Sequence, residues 1–346
     1  MKLWIISLKI VISVSILTFL AIRAAKENQF ASLVDARQSW TWLVAGLVAC
    51  LTAQLIATYR WYLLSRALDL PLTFYDALRI GLIGVFFGIV AFGVVGTDAL
   101  RGFYVARQSP GRRTEAVATV FVDRVIGLLT MFLAAFLGLF AGALASSPGE
   151  ESAATLAAIR FVCWFAGAAF AVGVAGLFTA LMAPQWERYG WFLRCESLPF
   201  VGPLLHRMVR LMAYFGRRLP TLGTAFILSA LVNVCFIVAI YSVACFVSDQ
   251  HPTLGDHVTI APISMVANAV PLPGGIGGME AALDLLYQAF TANRLQPQMG
   301  VAVAFLFRFL LLSIALLGAV AWFTLPARQR AELRHANASD DRLSQP

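Results

Sequence analysis

Charge is scarce in this chain. Only 13% of its 346 residues are Asp, Glu, Lys or Arg, against about a quarter in soluble domains. The apolar share is 60%, and it comes in blocks long enough to cross the ~30 Å hydrocarbon core of a bilayer. One large water-soluble core would not need such blocks. Histidine is scarcer still: its four copies form no HExxH or other ligand pair. The five cysteines (Cys50, Cys163, Cys195, Cys235 and Cys245) show no CxxC spacing. Both absences speak against zinc and dithiol chemistry and leave the cysteines as small packing residues. No metal or cofactor is expected. A Walker sequence is also missing, so no nucleotide motor is implied, and no nucleophile–base set marks an enzyme. The net charge of +8 does not point to nucleic acid, because the arginines gather in short loops between apolar blocks, as the positive-inside rule expects.

Two loops lack positive charge altogether. Segments 144–157 and 248–257 hold no Lys or Arg. In contrast, loop 98–115 carries Arg101, Arg107, Arg112 and Arg113, and segment 183–222 carries Arg188, Arg194, Arg207, Arg210, Arg217 and Arg218. Arg328, Arg330, Arg334 and Arg342 follow in the tail. The bare loops are expected outside and the basic ones in the cytoplasm. Hydropathy gives spans near 3–22, 41–59, 116–143, 158–182, 223–247 and 299–324. The first reads as an uncleaved span rather than a signal peptide. The chain is therefore expected in a bacterial cytoplasmic membrane, with both termini inside.

Two apolar segments do not fit that series. The segment 258–291 contains "NAVPLPGGIGGMEAALDLLYQAF", in which prolines and a knot of glycines precede a carboxylate. Its halves, 259–272 and 279–291, are each too short to cross. They are expected to dip in from the outside and return. The segment 80–97 lies between two stretches that both look cytoplasmic, 60–79 and 98–115. It should dip in from the inside, unless it is one thin span. The expected fold is an all-α polytopic membrane protein with about six full transmembrane helices and two re-entrant, broken helical segments. A single domain would cover 1–327, with half repeats at about 1–145 and 156–327 and a tail at 328–346 read as disordered.

The halves resemble each other. "GVVGTDAL" (Gly93 to Leu100) parallels "GGIGGMEAAL" (Gly274 to Leu283). Arg124 follows Asp98 by 26 residues, and Arg308 follows Glu280 by 28. If the halves start on opposite sides of the membrane, this is an inverted repeat, the architecture of many transporters with their sites at the helix breaks. Irregular backbone survives at membrane depth only where protein or a wet cavity covers it. The break residues Gly93, Gly96, Pro273, Gly274, Gly275, Gly277 and Gly278 are thus expected to line an internal space, a tight helix contact being the alternative.

Asp98, Arg101, Arg124, Glu280 and Arg308 are the candidate headgroup-binding residues. Charges this deep face a cavity or the bundle interior and are paired or functional. Asp123 and Arg124 are adjacent, so they point about 100° apart and cannot pair on one helix face. Arg124 should find its partner elsewhere, with Asp98 and Glu280 the candidates. Simple helix capping is the competing explanation for each acid, and a packing-only ion pair for each arginine. In 183–222, Leu204, Leu205, Met208, Leu211, Met212 and Phe215 recur at helical spacing against the arginines, which reads as an amphipathic helix on the anionic inner leaflet.

The motifs "GTDALRGFYVARQ", "VDRVIGLL" and "LPGGIGGMEAAL", in that order and spacing, resemble the transmembrane region of lysylphosphatidylglycerol synthases. That region also occurs as stand-alone flippase-like membrane proteins, hopanoid-associated ones among them. In bifunctional members a separate soluble domain makes the lipid, and this chain ends soon after its last span. The resemblance therefore implies translocation or handling of a lipid rather than synthesis. It implies as ligand an anionic or aminoacylated phospholipid, or a polyprenyl or hopanoid lipid, with a polar, phosphate-containing headgroup. The alternative is a non-transporting scaffold or partner of a lipid- or glycan-modifying enzyme. Two positions depart from the pattern and bear on headgroup preference. Thr97 stands where relatives frequently carry glycine, and Met279 where many carry arginine or a β-branched residue.

Overall fold

The computed structural model describes residues 39–88, 93–109, 111–145, 164–179, 215, 218–269, 278–291 and 299–324. The expected first span, most of the amphipathic segment, the break residues Pro273, Gly274, Gly275 and Gly277, and the tail lie outside the described residues. Among those described, every regular element is a helix and none is a strand. In chain order they are α1 (Trp40–Ala67), α2 (Phe74–Phe87), α3 (Gly93–Gln108), α4 (Arg113–Ala145), α5 (Trp164–Thr179), α6 (Leu219–Val247), α7 (Leu254–Ala269), α8 (Gly278–Phe290) and α9 (Met299–Phe323).

Four of these, α1, α4, α6 and α9, are long and apolar enough to span a membrane. Their length comes from runs of Leu, Ala, Phe, Val and Ile that contain no proline beyond the first turn. Much of their apolar surface points outward, including Val48, Phe121, Leu137, Leu231, Val234, Phe309, Leu316 and Val320. Such a surface would aggregate in water and is at home in lipid. The chain is a membrane protein. The expected spans 41–59, 116–143, 223–247 and 299–324 all fall on these helices. Of the expected span 158–182, the described part is the 16-residue apolar helix α5.

One boundary needs correcting. Arg60 was expected in a cytoplasmic loop, but α1 runs on to Ala67 and carries Arg60 as a buried residue. The helix stops in a left-handed turn. Leu70 N donates to Ser65 O at 3.2 Å and Asp69 adopts φ 51°, the arrangement that closes many helix C-termini. Arg112 Nη2 donates to Leu68 O at 2.7 Å, Arg112 Nη1 to Asp69 O at 3.3 Å, and Arg218 Nη2 meets Asp69 Oδ2 at 3.4 Å.

Apart from α5, the remaining described helices form two hairpins, α2–α3 and α7–α8, whose arms pack on each other. Both are opened by the same device, a Thr-x-x-Asp box. Asp76 N donates to Thr73 Oγ1 at 3.1 Å, and Asp256 N donates to Thr253 Oγ1 at 3.2 Å. These bonds satisfy amides that a helix start leaves bare. Both hairpins are also closed by a tyrosine from the returning arm. Tyr104 OH lies 3.5 Å from Asp76 Oδ1, and Tyr287 OH lies 2.8 Å from His257 Nε2. Each bond joins the start of the first arm to the latter part of the second, so the arms run antiparallel. With 13 to 16 residues per arm, each is about 20–24 Å long at 1.5 Å per residue. The segment expected at 80–97 is therefore a wider hairpin over 74–108 and not one thin span. The halves expected at 259–272 and 279–291 become α7 and α8.

The chain divides into two compact units. The first-hairpin unit gathers the described residues within Leu55–Gly127, Ala171–Ser229 and Ile314–Pro346. Its core packs Trp61, Leu64, Ile80, Ile83, Val120, Ile126, Phe215 and Trp322 together. Gly318 of α9 lets the α2 backbone come so close that a Cβ there would strike Leu82 O. The second-hairpin unit gathers the described residues within Met1–Gln54, Leu128–Phe170 and Ala230–Ser313. There Gly300 of α9 faces the Asp284 backbone of α8 with equally little room. Gly138 of α4 does the same for α7, where a Cβ would lie 2.7 Å from Val258 O. Thr259 Oγ1 seals that contact by donating to Gly138 O at 2.7 Å.

Candidate functional site

In the first-hairpin unit, α3 and α4 face each other through charges. Asp98 and Arg101 are one turn apart on α3 and share a face. They meet two neighbouring residues of α4 with the signs crossed. Arg124 Nε donates to Asp98 Oδ2 at 2.5 Å, and Arg101 Nη1 lies 3.7 Å from Asp123 Oδ2. The crossing works because Asp123 and Arg124 project about 100° apart. A third guanidinium enters from α1. Arg60 Nε donates to Asp123 Oδ1 at 2.7 Å, while its Nη1 donates to the Ser229 hydroxyl. Among the described residues the group sets three arginines against two aspartates, an excess of one positive charge.

The five members are not equally satisfied. The side chains of Arg60, Arg101 and Asp123 are less than a tenth exposed, whereas Arg124 is 40% exposed and opens the group outward. Arg101 makes the long contact to Asp123 and lies over the face of Trp61, whose ring centre is 5.2 Å from its guanidinium carbon. Its Nε is buried with no hydrogen-bond partner among the described residues, and so is Asp98 Oδ1. Leaving a buried polar atom unmade costs about 1–3 kcal/mol. One idle donor and one idle acceptor, a helical turn apart, are the unfinished part of this site.

The second-hairpin unit holds a simpler arrangement. Arg308 of α9 grips Glu280 of α8 with two parallel bonds, Nε to Oε1 at 2.5 Å and Nη2 to Oε2 at 3.2 Å. The forked geometry is the strong form of this pair. Glu280 is also in the first turn of α8, where the helix dipole favours an anion. The pair is neutral and largely buried, with side chains 25% and 8% exposed. Towards the start of α7, His257 Nδ1 lies 2.8 Å from Thr253 O. A carbonyl only accepts, so that nitrogen holds the proton and Tyr287 donates to the other. Tyr241 packs edge-on against both His251 and His257.

All five expected charged residues thus enter ion pairs, and each acid takes the arginine that follows it in its own half. One expectation needs correction. Asp98 does not open its helix, since α3 starts at Gly93 and Asp98 lies in its second turn; capping does not explain it. Arg101 turns to Asp123 and leaves Asp98 to Arg124. Of the break residues, Gly93 starts α3, Gly96 lies in its first turn, and Gly278 starts α8. Sequence reading overlooked Arg60, Tyr104, His257 and Tyr287. The signal for Arg60 was an apolar pattern continuing past it through Trp61, Leu63 and Leu64. For the tyrosines it was their like distances after the acids, Asp98 to Tyr104 and Glu280 to Tyr287.

The family model described as the lysylphosphatidylglycerol synthase transmembrane region matches residues 6–330. The chain belongs to this family. No curated protein and no solved structure matches it. The match covers both hairpins, both charged groups and all four long helices, so the resemblance carried by the three motifs extends to nearly the whole chain.

Proposed function

We propose that this member of the family is a flippase-like protein, which binds and moves a lipid with a polar, phosphate-containing headgroup across a bacterial cytoplasmic membrane. The observation that carries this reading is the repeated one: a helical hairpin whose returning arm presents an acid to an arginine inside the next long helix. Placing charge in an apolar span is costly. In this reading the hairpins are re-entrant and related by an inverted repeat. The first dips in from the cytoplasmic side, where Arg66, Arg107, Arg112 and Arg113 stand around the ends of α1 and α3 and the start of α4, and the second from the outer side, where 248–257 has none. The hairpin arms are too short to cross, which supports the reading. A headgroup would engage an ion pair while its acyl chains stay in lipid. An anionic oxygen competes with the carboxylate for the guanidinium, and the pair opens to receive it.

The test is reconstitution of the full chain in liposomes carrying fluorescent phosphatidylglycerol, with bleaching of the outer leaflet by dithionite. The native chain should expose the inner-leaflet lipid to bleaching. Glu280→Gln and Arg308→Gln should each abolish this while leaving the reconstituted amount unchanged. Movement as fast through both variants as through the native chain would overturn the reading.

A further inference from the structure

We propose that the contact between His257 and Tyr287 is a proton-operated latch. It holds the second hairpin shut while the imidazole is neutral, and it lets α8 part from α7 when the imidazole takes a proton. This is a property of the hairpin itself and stands whatever the chain moves. Both side chains are buried, 0% and 1% exposed. The Thr253 carbonyl fixes the tautomer: it lies 2.8 Å from Nδ1 and can only accept, so Nδ1 keeps the one ring proton. Nε2 is left as an acceptor, and the Tyr287 hydroxyl fills it at 2.8 Å. Both ring nitrogens are thus spent, and the site suits a neutral imidazole. A second proton has to go on Nε2, the atom that receives the tyrosine's hydrogen. The hydroxyl must then turn that hydrogen away, and a whole charge stands where water does not reach. Such a charge costs far more than a satisfied neutral ring.

The groups around the ring do little to offset that cost. From α6, Tyr241 packs edge-on against it at 5.3 Å between ring centres, with Cys245 beside the Tyr241 hydroxyl. From α8 comes Tyr287, at 5.4 Å. α4 meets α7 at Gly138 and holds no ionisable residue from Leu128 to Ala145. His251, just before α7, opposes a positive charge on the ring, and Asp256 of α7 favours it. Asp256 is committed elsewhere, since its Oδ2 accepts from both N and Oγ1 of Thr253, at 2.7 and 2.8 Å. Parting the arms admits water, and the ring regains the ordinary imidazole pKa of about 6.5. The open form therefore binds the proton better. The closed form keeps its full advantage above about pH 6.5 and loses it as the pH falls, by at most about tenfold per unit for one proton. The first hairpin is closed by Tyr104 on Asp76 and not on a histidine, which makes it the internal reference.

Hydrogen exchange of the full chain in detergent, read by mass spectrometry, measures opening hairpin by hairpin. It is run from about pH 7.5 to about pH 5, a range that brackets the ordinary imidazole value, with labelling times scaled to the chemical exchange rate at each pH. Protection of α7 and α8 should fall several-fold on acidification, while α2 and α3 keep theirs. His257→Gln should remove this response, and His251→Gln should leave it in place. Tyr287→Phe should lower the protection of α7 and α8 already at the upper end of the range. The native chain alone can overturn the proposal, either by unchanged protection of α7 and α8 or by an equal fall in both hairpins. A response that persists at full size in His257→Gln, or that disappears in His251→Gln, overturns it as well. So does a Tyr287→Phe chain as well protected as the native one.

Discussion

The two hairpins begin alike and end differently. Each opens on a Thr-x-x-Asp box, returns through a second helix closed by a tyrosine, and offers an acid to an arginine on the next long helix. Among the described residues, the first then draws in Arg60 and Asp123 to make a five-membered group with a surplus charge, while the second shows one forked pair. The closures differ in the opposite sense. The tyrosine bond of the first hairpin is 3.5 Å long and part-buried, and that of the second is 2.8 Å and buried. A shared scaffold has been finished as a charge-rich, loosely closed site at one hairpin and a neutral, tightly closed one at the other. Repetition of a motif fixes where groups stand. Their neighbours decide what they can bind.

The sharpest way to break the comparison is to remove one charge from each site. Asp123→Asn strands the buried Arg60 and Arg101 together, and losing one partner of a buried pair costs about 3–5 kcal/mol. Thermal unfolding in detergent should fall steeply. Glu280→Gln takes the carboxylate from one partly exposed arginine, and the loss should be smaller, about 1.5–3 kcal/mol, as for a hydrogen bond to a charged group. Adding Arg308→Gln to it should restore part of that loss. Equal losses at the two sites would mean that Arg60 and Arg101 are not jointly held by Asp123.

A middle-sized effect tests how each hairpin docks. Gly318→Ala would push a methyl group into Leu82 O, and Gly300→Ala would push one into the Asp284 backbone. Overpacking of this kind costs about 1–3 kcal/mol. Gly223→Ala in α6 meets nothing within 4 Å and should leave the melting temperature unchanged or raised. The smallest effect compares the closures. Tyr287→Phe should lose about 1 kcal/mol, a typical net value for one hydrogen bond, and Tyr104→Phe close to nothing.

Much of this was legible in the chain. The long spans announced themselves because lipid imposes a length and forbids charge. The like separations in the two halves and the adjacency of Asp123 and Arg124 narrowed the partner of Arg124 to Asp98 or Glu280, and packing made it Asp98 and gave Glu280 to Arg308. Helix ends were less legible. Asp98 looked like a cap because glycines precede it, yet α3 starts at Gly93, and glycine's freedom permits a helix as well as a break. Arg60 was hidden by its own type: an arginine at the end of an apolar window resembles a loop residue until a buried carboxylate from another helix is known to meet it. The tyrosine closures were invisible for the same reason, since hairpin pairing is a tertiary fact.

The turn after α1 bears on how basic loops are counted. Arg112 and Arg218 both belong to segments whose positive charge leads the positive-inside rule to expect them in the cytoplasm, and both reach for the corner at Leu68 and Asp69. Their forks buckle three stretches of chain together, one after α1, one before α4 and one before α6. A topology signal and a mechanical fastener are thus the same atoms, and stripping such residues to test orientation would also unfasten the corner they hold.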